Sequence, residues 1–359
     1  MPYSTNEVRA LLAKKAKYEL GFFPTPLHRL DRLSEEFHVD LYMKRDDFSG
    51  RNLFGGNKIR KLEYLMGEAV KSDAEYVFTY GATESNHAMQ TVTACRRAGL
   101  KPIIYLTAVV PVDEQDIRSN LLLDQIMGAE IHIVRLRPGE TEDDGDARGE
   151  ALAAARSKEL EEQGHRCYNI PMGGANALGS LGFVEGYVEM TEQLAAIGRE
   201  ADYIFHATGT AGTMAGLDAG RKLLGAGTQV ISVNVSPKDD TYRVRAAALA
   251  NNALDELGVT DVRLDPETDT WQEKNFYLPG YEKPSPESTK AIRYLSEQEG
   301  IFVDPVYSGK AFAALLSWLR TGKIPAGSTV VFWHTGGATA LFAEQEIVGD
   351  FYQKLIYED

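Results

Sequence analysis

The chain has 359 residues, of which 43% are hydrophobic and 25% charged, as expected for a globular protein with a substantial core. Its formal net charge of −14 argues against a nucleic-acid or acidic-membrane partner, because both select a basic face. The two cysteines, Cys95 and Cys167, have no CxxC metal or redox spacing, and we expect them to be small buried or half-buried hydrophobic residues.

The first segment, MPYSTNEVRALLAKKAKYELGFF, contains no apolar stretch followed by a cleavage site. It also carries Glu7 and Glu19, which a transit peptide would avoid. No run of the chain approaches 18 uninterrupted apolar residues. We therefore expect a soluble, cytoplasmic protein with no membrane partner.

Short apolar runs alternate with amphipathic stretches along the chain, the pattern of parallel βα units. Each predicted strand ends in a cluster of Gly, Ser or Thr that opens the next helix, and open α/β sheets bind their ligands at such ends. The predicted strands are Leu41–Lys44, Tyr76–Tyr80, Ile103–Leu106, Ile131–Val134, Ile204–Ala207, Val230–Val235 and Thr329–His334, and the predicted helices include Lys58–Lys71, Asn86–Ala98 and Ala211–Leu224.

Two further expectations concern the organisation of the chain. The charged, glycine-containing segment Arg137–Asp146 is interpreted as a solvated loop. A second sheet is expected to start near Thr208, where a glycine-rich turn is typical of a new phosphate-binding crossover. Together the pattern predicts two α/β lobes with a cleft between them.

The first chemical cluster is Gly-Gly-Asn-Lys at positions 55–58, followed by a helical pattern. This places Lys58 at a helix N-terminus, where the helix dipole disfavours the ammonium form and lowers its pKa. A lysine with a lowered pKa can form a Schiff base. The alternative is a surface lysine in a basic helix start beside Arg60 and Lys61.

Two more clusters follow predicted strands. In GATESNH (81–87), Ser85 or Asn86 can cap the next helix and leave N–H groups for a carboxylate or a ring hydroxyl; plain capping is the alternative. In TGTAGT (208–213), small residues let backbone amides approach an anion, although a merely tight turn is also possible. The latter lacks the Gly-Lys-Ser/Thr ending of a Walker A loop and does not match GxGxxG, so it favours a compact phosphate over a dinucleotide.

The fourth cluster combines DPVYSGK (304–310) with HTGG (334–337) at the end of the last predicted strand. These motifs bring Tyr307, Ser308 and Thr335 to the ends of strands, whereas His206 is interpreted as structural. A reactive lysine, a phosphate cradle and hydroxyl groups at strand ends fit pyridoxal 5′-phosphate (PLP) better than any other cofactor.

The motifs GGNKIRKLEYL, SNHAMQ, GTAGT, DPVYSGK and HTGG resemble, in order and spacing, the D-cysteine desulfhydrase and 1-aminocyclopropane-1-carboxylate deaminase family. That family belongs to the tryptophan-synthase-β-like, fold type II PLP enzymes, and the likeness runs from Phe23 to Phe342. It implies two open twisted α/β lobes with PLP in the cleft between them. We expect residues 1–53 together with 178–359 to form the large PLP-binding domain and residues 54–177 the small domain.

The resemblance also implies the roles of individual residues. Lys58 would carry PLP, Asn86 would bind the ring hydroxyl, and Ser85 would meet the substrate carboxylate or help to move a proton. Tyr281 and Tyr307 match the family's two active-site tyrosines, although Glu282 follows Tyr281 where the family has Gly-Tyr-Gly. The complete expected site consists of the catalytic residues Lys58, Ser85, Tyr281 and Tyr307, the cofactor contacts Lys58, Asn57, Asn86, Thr208, Gly209, Thr210, Ala211, Gly212, Thr213, Ser308 and Thr335, and the substrate contacts Ser85, Asn86, His87, Tyr281 and Tyr307, with no metal.

Position 308 discriminates between reactions within the family. The deaminases have glutamate there, which keeps the pyridine nitrogen protonated and makes the ring a strong electron sink for opening a cyclopropane. This chain has Ser308 and, nearby, Thr335, the hydroxyl pattern of the desulfhydrases. Hydroxyl partners leave the nitrogen mostly neutral, which suffices when a good leaving group sits on Cβ.

The resemblance therefore implies a PLP-dependent carbon–sulfur lyase that eliminates the Cβ group of a small amino acid to give pyruvate and ammonia, with D-cysteine as the first choice of substrate. L-cysteate sulfo-lyase, 1-aminocyclopropane-1-carboxylate deaminase and a non-catalytic PLP-binding protein are the alternatives. Leaving group and stereochemistry stay open. A homodimer is expected from the family alone.

Overall fold

The computed structural model describes residues 2–351 and residue 356, and the elements follow one another as alternating helices and strands. In chain order they are α1 (Thr5–Leu12), β1 (Leu27–Arg29), α2 (Asp31–Phe37), β2 (Asp40–Arg45), α3 (Asn57–Lys71), β3 (Tyr76–Ala82), α4 (Asn86–Ala98), β4 (Lys101–Ala108), α5 (Ser119–Ile126), β5 (Glu130–Arg135), α6 (Glu142–Glu162), β6 (Cys167–Asn169), α7 (Ala177–Ala196), β7 (Tyr203–Thr208), α8 (Gly212–Leu224), β8 (Gln229–Asn234), α9 (Tyr242–Glu256), β9 (Trp271–Glu273), α10 (Pro286–Glu299), α11 (Ser308–Arg320), β10 (Thr329–His334) and α12 (Gln345–Val348).

The strands form two sheets. The larger has the order β1-β2-β10-β7-β8-β9, and the smaller has the order β5-β4-β3-β6. All neighbouring strands are parallel except β1 and β2, which pair antiparallel. Strand β10 lies inside the larger sheet, where Val331 pairs with Tyr42 on one side and with Ile204 on the other. Parallel strands buried on both faces explain the short, continuous apolar runs in the sequence.

The seven predicted strands and the three predicted helices are all present, with boundaries that differ by at most two residues. Three strands of three residues each, β1, β6 and β9, were not predicted, because so short a segment carries no readable alternation. The two cysteines are free, with Cys95 buried and Cys167 half-buried.

Two sequence expectations were wrong. Strand β7, which ends at Thr208, does not start a new sheet, because it pairs with β10 in the sheet that β1 and β2 begin. The segment Arg137–Asp146 is not entirely a solvated loop, because α6 begins inside it at Glu142. The Thr141 hydroxyl accepts from the backbone N–H of Asp144 while the Asp144 carboxylate accepts from the N–H of Thr141, a capping box that starts the helix.

Helix α7 packs closely against α3, the helix that carries the motif lysine. A Cβ atom added at Gly182 would lie 2.3 Å from the backbone oxygen of Arg60, so the two helix backbones touch at this glycine. Only glycine permits such an approach without moving α3. The packing therefore fixes the position of the N-terminus of α3.

A buried network of charges holds the same helix in place. The Arg60 guanidinium donates to both oxygens of Asp46, each at 2.8 Å, and to both oxygens of Glu189 at 2.9 and 3.0 Å. The Lys44 ammonium also pairs with Glu189 and donates to the backbone oxygen of Thr25 at 2.7 Å. Because these charged groups are less than a tenth exposed, removing one partner would leave an uncompensated buried charge.

Among the described residues, no helix is long and apolar enough to cross a membrane.

Candidate active site

A cavity of about 320 Å³ opens between the two sheets, at the carboxyl ends of β3, β7, β8 and β10. Carboxyl ends of parallel strands leave room for ligands because the chain turns away into the following helices. The predicted site residues on its wall are Asn57, Lys58, Ser85, Asn86, His87, Thr208, Gly209, Thr210, Ala211, Gly212, Thr213, Tyr281, Tyr307 and Thr335.

Lys58 occupies the second position of α3 and lines the cavity. Burial in the surrounding protein lowers the pKa of its ammonium group from 10.5 to about 8. Within the described part of the chain, its Nζ has no hydrogen-bond or ion-pair partner. Lys58 thus presents an amine that is partly uncharged near neutral pH, as a nucleophile for an aldehyde requires.

Lys61, one helical turn further along α3, is the main wall residue that sequence reasoning missed. It is 1% exposed, and its Nζ donates to the backbone oxygen of Gly173 at 3.1 Å. A Cβ atom added at Gly212 would lie 2.8 Å from this Nζ, so Lys61 reaches the N-terminus of α8. Burial and the neighbouring Lys58 lower the pKa of Lys61 well below its ordinary value. An anion at the start of α8 would restore its charge.

The loop before α8 has the features of a phosphate cradle. No side chain among the described residues caps α8, so its first N–H groups are available to a ligand. Ala211 at the helix start adopts φ 68°, the left-handed region, and residues 208–213 line the cavity. The Tyr242 hydroxyl hydrogen-bonds the Thr208 hydroxyl at 2.8 Å and the backbone oxygen of Gly209 at 3.0 Å, which braces the loop from behind.

The start of α4 supplies polar groups to another part of the wall. The Ser85 hydroxyl caps α4 by accepting from the backbone N–H of Ala88 at 3.2 Å. The side-chain oxygen of Asn86 accepts from the Asn120 amide at 3.0 Å and from the Thr339 hydroxyl at 3.4 Å. The amide NH₂ of Asn86 is therefore the part of this side chain that can donate to a ligand.

His87 follows in the first turn of α4 and is 3% exposed. Its Nε2 lies 2.8 Å from the Thr79 hydroxyl. Burial, together with the charges of Lys58 and Lys61, lowers the pKa of the imidazole well below 6.5. His87 is therefore neutral at physiological pH and adds no charge to the cavity.

Tyr281 and Tyr307 form a pair on the wall. Their hydroxyl groups are hydrogen-bonded to each other, and their rings meet edge to face with centroids 5.8 Å apart. Burial raises the pKa of both phenols, so both keep their protons at neutral pH. The pair can therefore offer a proton or a hydrogen bond to a group bound beside it.

Glu282, which follows Tyr281 in place of the glycine of the Gly-Tyr-Gly pattern, is accommodated by its surroundings. Glu282 adopts φ 51°, a left-handed conformation that glycine adopts without strain, which explains why a glycine is usual at this place. Its side chain is fully buried, and its Oε1 accepts from the backbone N–H of Glu84 at 3.3 Å. Burial and the nearby Glu84 raise the pKa of Glu282 well above 4.5, which favours the protonated form of the buried side chain.

Lys310, in the first turn of α11, ties the tyrosine loop to the sheet. It is fully buried, and its Nζ donates to the backbone oxygen of Gly280 at 2.7 Å and to that of Val235 at 3.3 Å. Because Gly280 precedes Tyr281, this lysine fixes the backbone from which the phenol projects.

Ser308 lies behind the wall. Its hydroxyl donates to Asp304 and lies 3.3 Å from the backbone oxygen of Gly336. The Asp304 carboxylate also accepts from the backbone N–H groups of residues 306, 307 and 308 at 2.7–2.8 Å. The Asp304 carboxylate thus holds the turn that leads into α11. Thr335, in contrast, lines the cavity, and its backbone oxygen accepts from the N–H of Asn57 at 3.0 Å.

His206 is part of the larger sheet, as predicted, and is fully buried. Its Nε2 lies 2.8 Å from the Ser232 hydroxyl, and its Nδ1 lies 2.9 Å from the backbone oxygen of Ala207. Burial lowers its pKa to about 4. His206 is therefore a neutral structural residue.

These residues fit PLP. The uncapped start of α8, with Lys61 beside it, suits a phosphate, and the Lys58 amine suits an aldehyde. Glu142, Asp143 and Asp146 at the start of α6 also line the cavity, which was not predicted, because their segment was interpreted as a solvated loop.

Comparison with known proteins agrees with this geometry. The sequence model of the family described as pyridoxal-phosphate dependent enzyme matches residues 18–336. A putative 1-aminocyclopropane-1-carboxylate deaminase from Pyrococcus furiosus is 37% identical over 336 residues, 94% of this chain and 96% of the relative. A D-cysteine desulfhydrase from Serratia proteamaculans is 36% identical over 92% of this chain and 97% of the relative.

Solved structures show the same fold. The crystal structure of a 1-aminocyclopropane-1-carboxylate deaminase homologue matches with a TM-score of 0.81 and 34% identity, over 93% of this chain and 96% of that one. A threonine deaminase from Solanum lycopersicum, with a TM-score of 0.62, 17% identity and coverage of 94% of this chain and 86% of that one, shares the fold. The predicted fold of two α/β lobes is thereby confirmed.

Proposed function

The chain belongs to the pyridoxal-phosphate dependent enzymes, as a homologue of 1-aminocyclopropane-1-carboxylate deaminases and D-cysteine desulfhydrases, and on this premise we propose that it is a lyase that eliminates the Cβ substituent of a small amino acid. The first-choice substrate is D-cysteine. One molecule of D-cysteine and one of water then give pyruvate, ammonia and hydrogen sulfide. The Cα–H and Cβ–S bonds break, and the electron pair of the latter leaves on sulfur.

The residues of this chain have distinct tasks in that reaction. Bound PLP supplies an electron sink for the substrate's Cα. Lys58, whose pKa is lowered to about 8, removes the Cα proton. The N-terminus of α4, with Ser85 and the amide of Asn86, binds the substrate carboxylate.

The paired phenols act at the other end of the substrate. Tyr281 and Tyr307 both hold a proton, so one of them can donate it to the departing sulfur while the other hydrogen-bonds the donor. Lys310 keeps this pair in place through the backbone before Tyr281.

The residue type at position 308 is the observation that favours elimination over ring opening. A serine stands where a glutamate would serve ring opening, and Asp304, the neighbouring buried carboxylate, is already bound by four donors. Asp304 is therefore not available to protonate a pyridine nitrogen. Thr335 on the wall is a hydroxyl, which favours a neutral nitrogen and a substrate with a good leaving group.

Ring-opening deamination of 1-aminocyclopropane-1-carboxylate is the second candidate, because relatives at 37% and 39% identity carry that name as putative deaminases. It would release 2-oxobutanoate and ammonia instead of pyruvate, ammonia and sulfide. The products therefore separate the two reactions without ambiguity.

The test is a substrate panel with the purified holoprotein. D-cysteine, L-cysteine, L-cysteate and 1-aminocyclopropane-1-carboxylate are each assayed for oxoacid, ammonia, sulfide and sulfite. We expect pyruvate and sulfide from a cysteine, with Lys58→Ala inactive and the exposed α3 variant Lys71→Ala unchanged. Product from the cyclopropane alone would overturn the proposal, and a PLP-loaded protein that acts on none of the four would support a non-catalytic role.

A further inference from the structure

The mouth of the cavity is acidic on one side. The start of α6 places Glu142, Asp143 and Asp146 on the wall, which the segment Ser236–Lys238 after β8 also lines. The capping box at Thr141 fixes where this turn begins. The acidic side is thus set by the helix start rather than by an irregular loop.

Glu142 is the carboxylate of this turn whose charge acts on the reacting end of the cavity. Burial is the main cause of the raised pKa values of Tyr281, Tyr307 and the buried Glu282, and the charge of Glu142 adds a smaller increase to each. Burial, together with the charges of Asp146 and Asp143, raises the pKa of Glu142 itself to about 7, against the opposing effect of Lys238. Glu142 lines the same cavity as the paired phenols, and with a pKa of about 7 it is mostly ionised at pH 8.

The described part of the cavity wall carries three lysines, but only one of them is free to balance these carboxylates. Lys58 is assigned to the cofactor, and Lys61 is held between Gly173 and the start of α8. Lys238 remains, with a pKa that burial lowers while Glu142 and Asp143 raise it. Three carboxylates thus face one ammonium group at the mouth.

We propose that Glu142 is a specificity-determining residue that excludes amino acids with a second negative charge from this site. The substrate class is then an amino acid with one carboxylate and an uncharged Cβ substituent. A thiol meets this condition, whereas the sulfonate of cysteate does not. Only the identity of the leaving group rests on the proposed function. The discrimination between charged and uncharged side chains concerns binding and does not depend on the reaction.

The physical basis is charge repulsion in a partly dehydrated cavity. The α-carboxylate of a substrate has the N-terminus of α4 as its partner. A second anion on the side chain would have to lie toward the tyrosines, on the wall that Glu142 also lines, where Glu142 repels it. The charge of Lys238 is offset by Glu142 and Asp143. One unit charge in such surroundings changes a dissociation constant by about tenfold.

The test compares the binding of asparagine and aspartate, which have nearly the same shape and differ in side-chain charge. Both enantiomers are titrated into PLP-loaded wild type, Glu142→Gln and the control Glu150→Gln, with the visible absorption of the cofactor as the signal. Glu150 is an exposed glutamate on the same helix. We expect the wild type to favour asparagine and the Glu142→Gln variant to reduce this preference about tenfold, with Glu150→Gln unchanged.

An unchanged preference in Glu142→Gln, or failure of asparagine to bind the wild type at all, would overturn the proposal. The kcat/KM ratio for D-cysteine over L-cysteate gives a second readout. A shifted binding preference without any elimination would refute the proposed function alone. Elimination from D-cysteine with an unshifted preference would refute the role of Glu142 alone.

Discussion

Replacing Lys61 by Met removes an ammonium group from the start of α8 while keeping a side chain of similar length. The Nζ of Lys61 is fixed by the backbone oxygen of Gly173 and lies against Gly212, where the phosphate of PLP is expected. A hydrogen bond to a charged group contributes about 1.5–3 kcal/mol. We therefore expect PLP to bind roughly 10- to 150-fold more weakly to Lys61→Met.

The assay compares PLP with pyridoxal, which lacks the phosphate. Dissociation constants are measured by absorbance titration for both ligands with the wild type, Lys61→Met and Lys71→Met. Lys71 is an exposed lysine at the end of the same helix and serves as the matched control. The difference between the two ligands isolates the contact of Lys61 with the phosphate from any general change in the site.

We expect Lys61→Met to weaken PLP binding and to leave pyridoxal binding nearly unchanged. Equal weakening for both ligands would show that Lys61 only maintains the shape of the wall. An unchanged PLP affinity would refute the assignment of the phosphate to this end of the cavity.

Three further outcomes follow from buried charges. Glu189→Gln is expected to lower the free energy of unfolding by about 3–5 kcal/mol, because Arg60 and Lys44 lose a buried counterion. The control Glu192→Gln breaks an exposed ion pair on the same helix, so it is expected to lower the free energy of unfolding by only about 0–1 kcal/mol. Urea denaturation measures both, and equal losses would refute the reasoning. The pKa of Glu189 is lowered from 4.5 to about 2, so the stability it contributes is complete above about pH 4.5 and is lost as the pH falls toward 2. Because the pKa of Lys58 is lowered to about 8, its acylation in the apoprotein is expected to rise with pH through about 8, and a mass-spectrometric midpoint near 10.5 would contradict this.

Much of the site could be predicted because its residues stand in short motifs at the ends of strands. The turn 208–213 and Thr335 each follow an apolar run, and parallel strands bring such ends to one edge of a sheet, whereas Lys58 is marked by its Gly-Gly-Asn-Lys motif at a helix start. Burial lowers the pKa of Lys58, whereas the sequence predicts that the helix dipole lowers it. The direction of that pKa shift was therefore predicted correctly, with burial as its cause.

The remaining features depend on contacts between distant segments. Lys61 stands in the same motif as Lys58, and helical spacing places the two side chains next to each other on one face of α3. Its expected contact with a phosphate depends on the close approach of α8, which the sequence does not show. Glu142 was assigned to a loop, because charged residues with glycine nearby are typical of solvated segments. The capping box of Thr141 and Asp144 could have revealed the helix start, since its spacing is visible in the sequence.

Two assignments stay predictions. The domain boundaries agree with the membership of the two sheets, but sheet membership does not define where one domain ends. The partnership of Ser308 with the pyridine nitrogen also stays a prediction, since its hydroxyl donates to Asp304 and the buried residue does not line the cavity.

The central claim is that Lys58 is the residue that carries the cofactor. Reducing the purified, PLP-loaded protein with borohydride and mapping the modified peptide by mass spectrometry tests it most directly. We expect the phosphopyridoxyl group on Lys58 and its loss, together with the visible absorption of the protein, in Lys58→Ala. A phosphopyridoxyl group on Lys61 or on another lysine, or a protein that stays colourless with added PLP, would contradict the account.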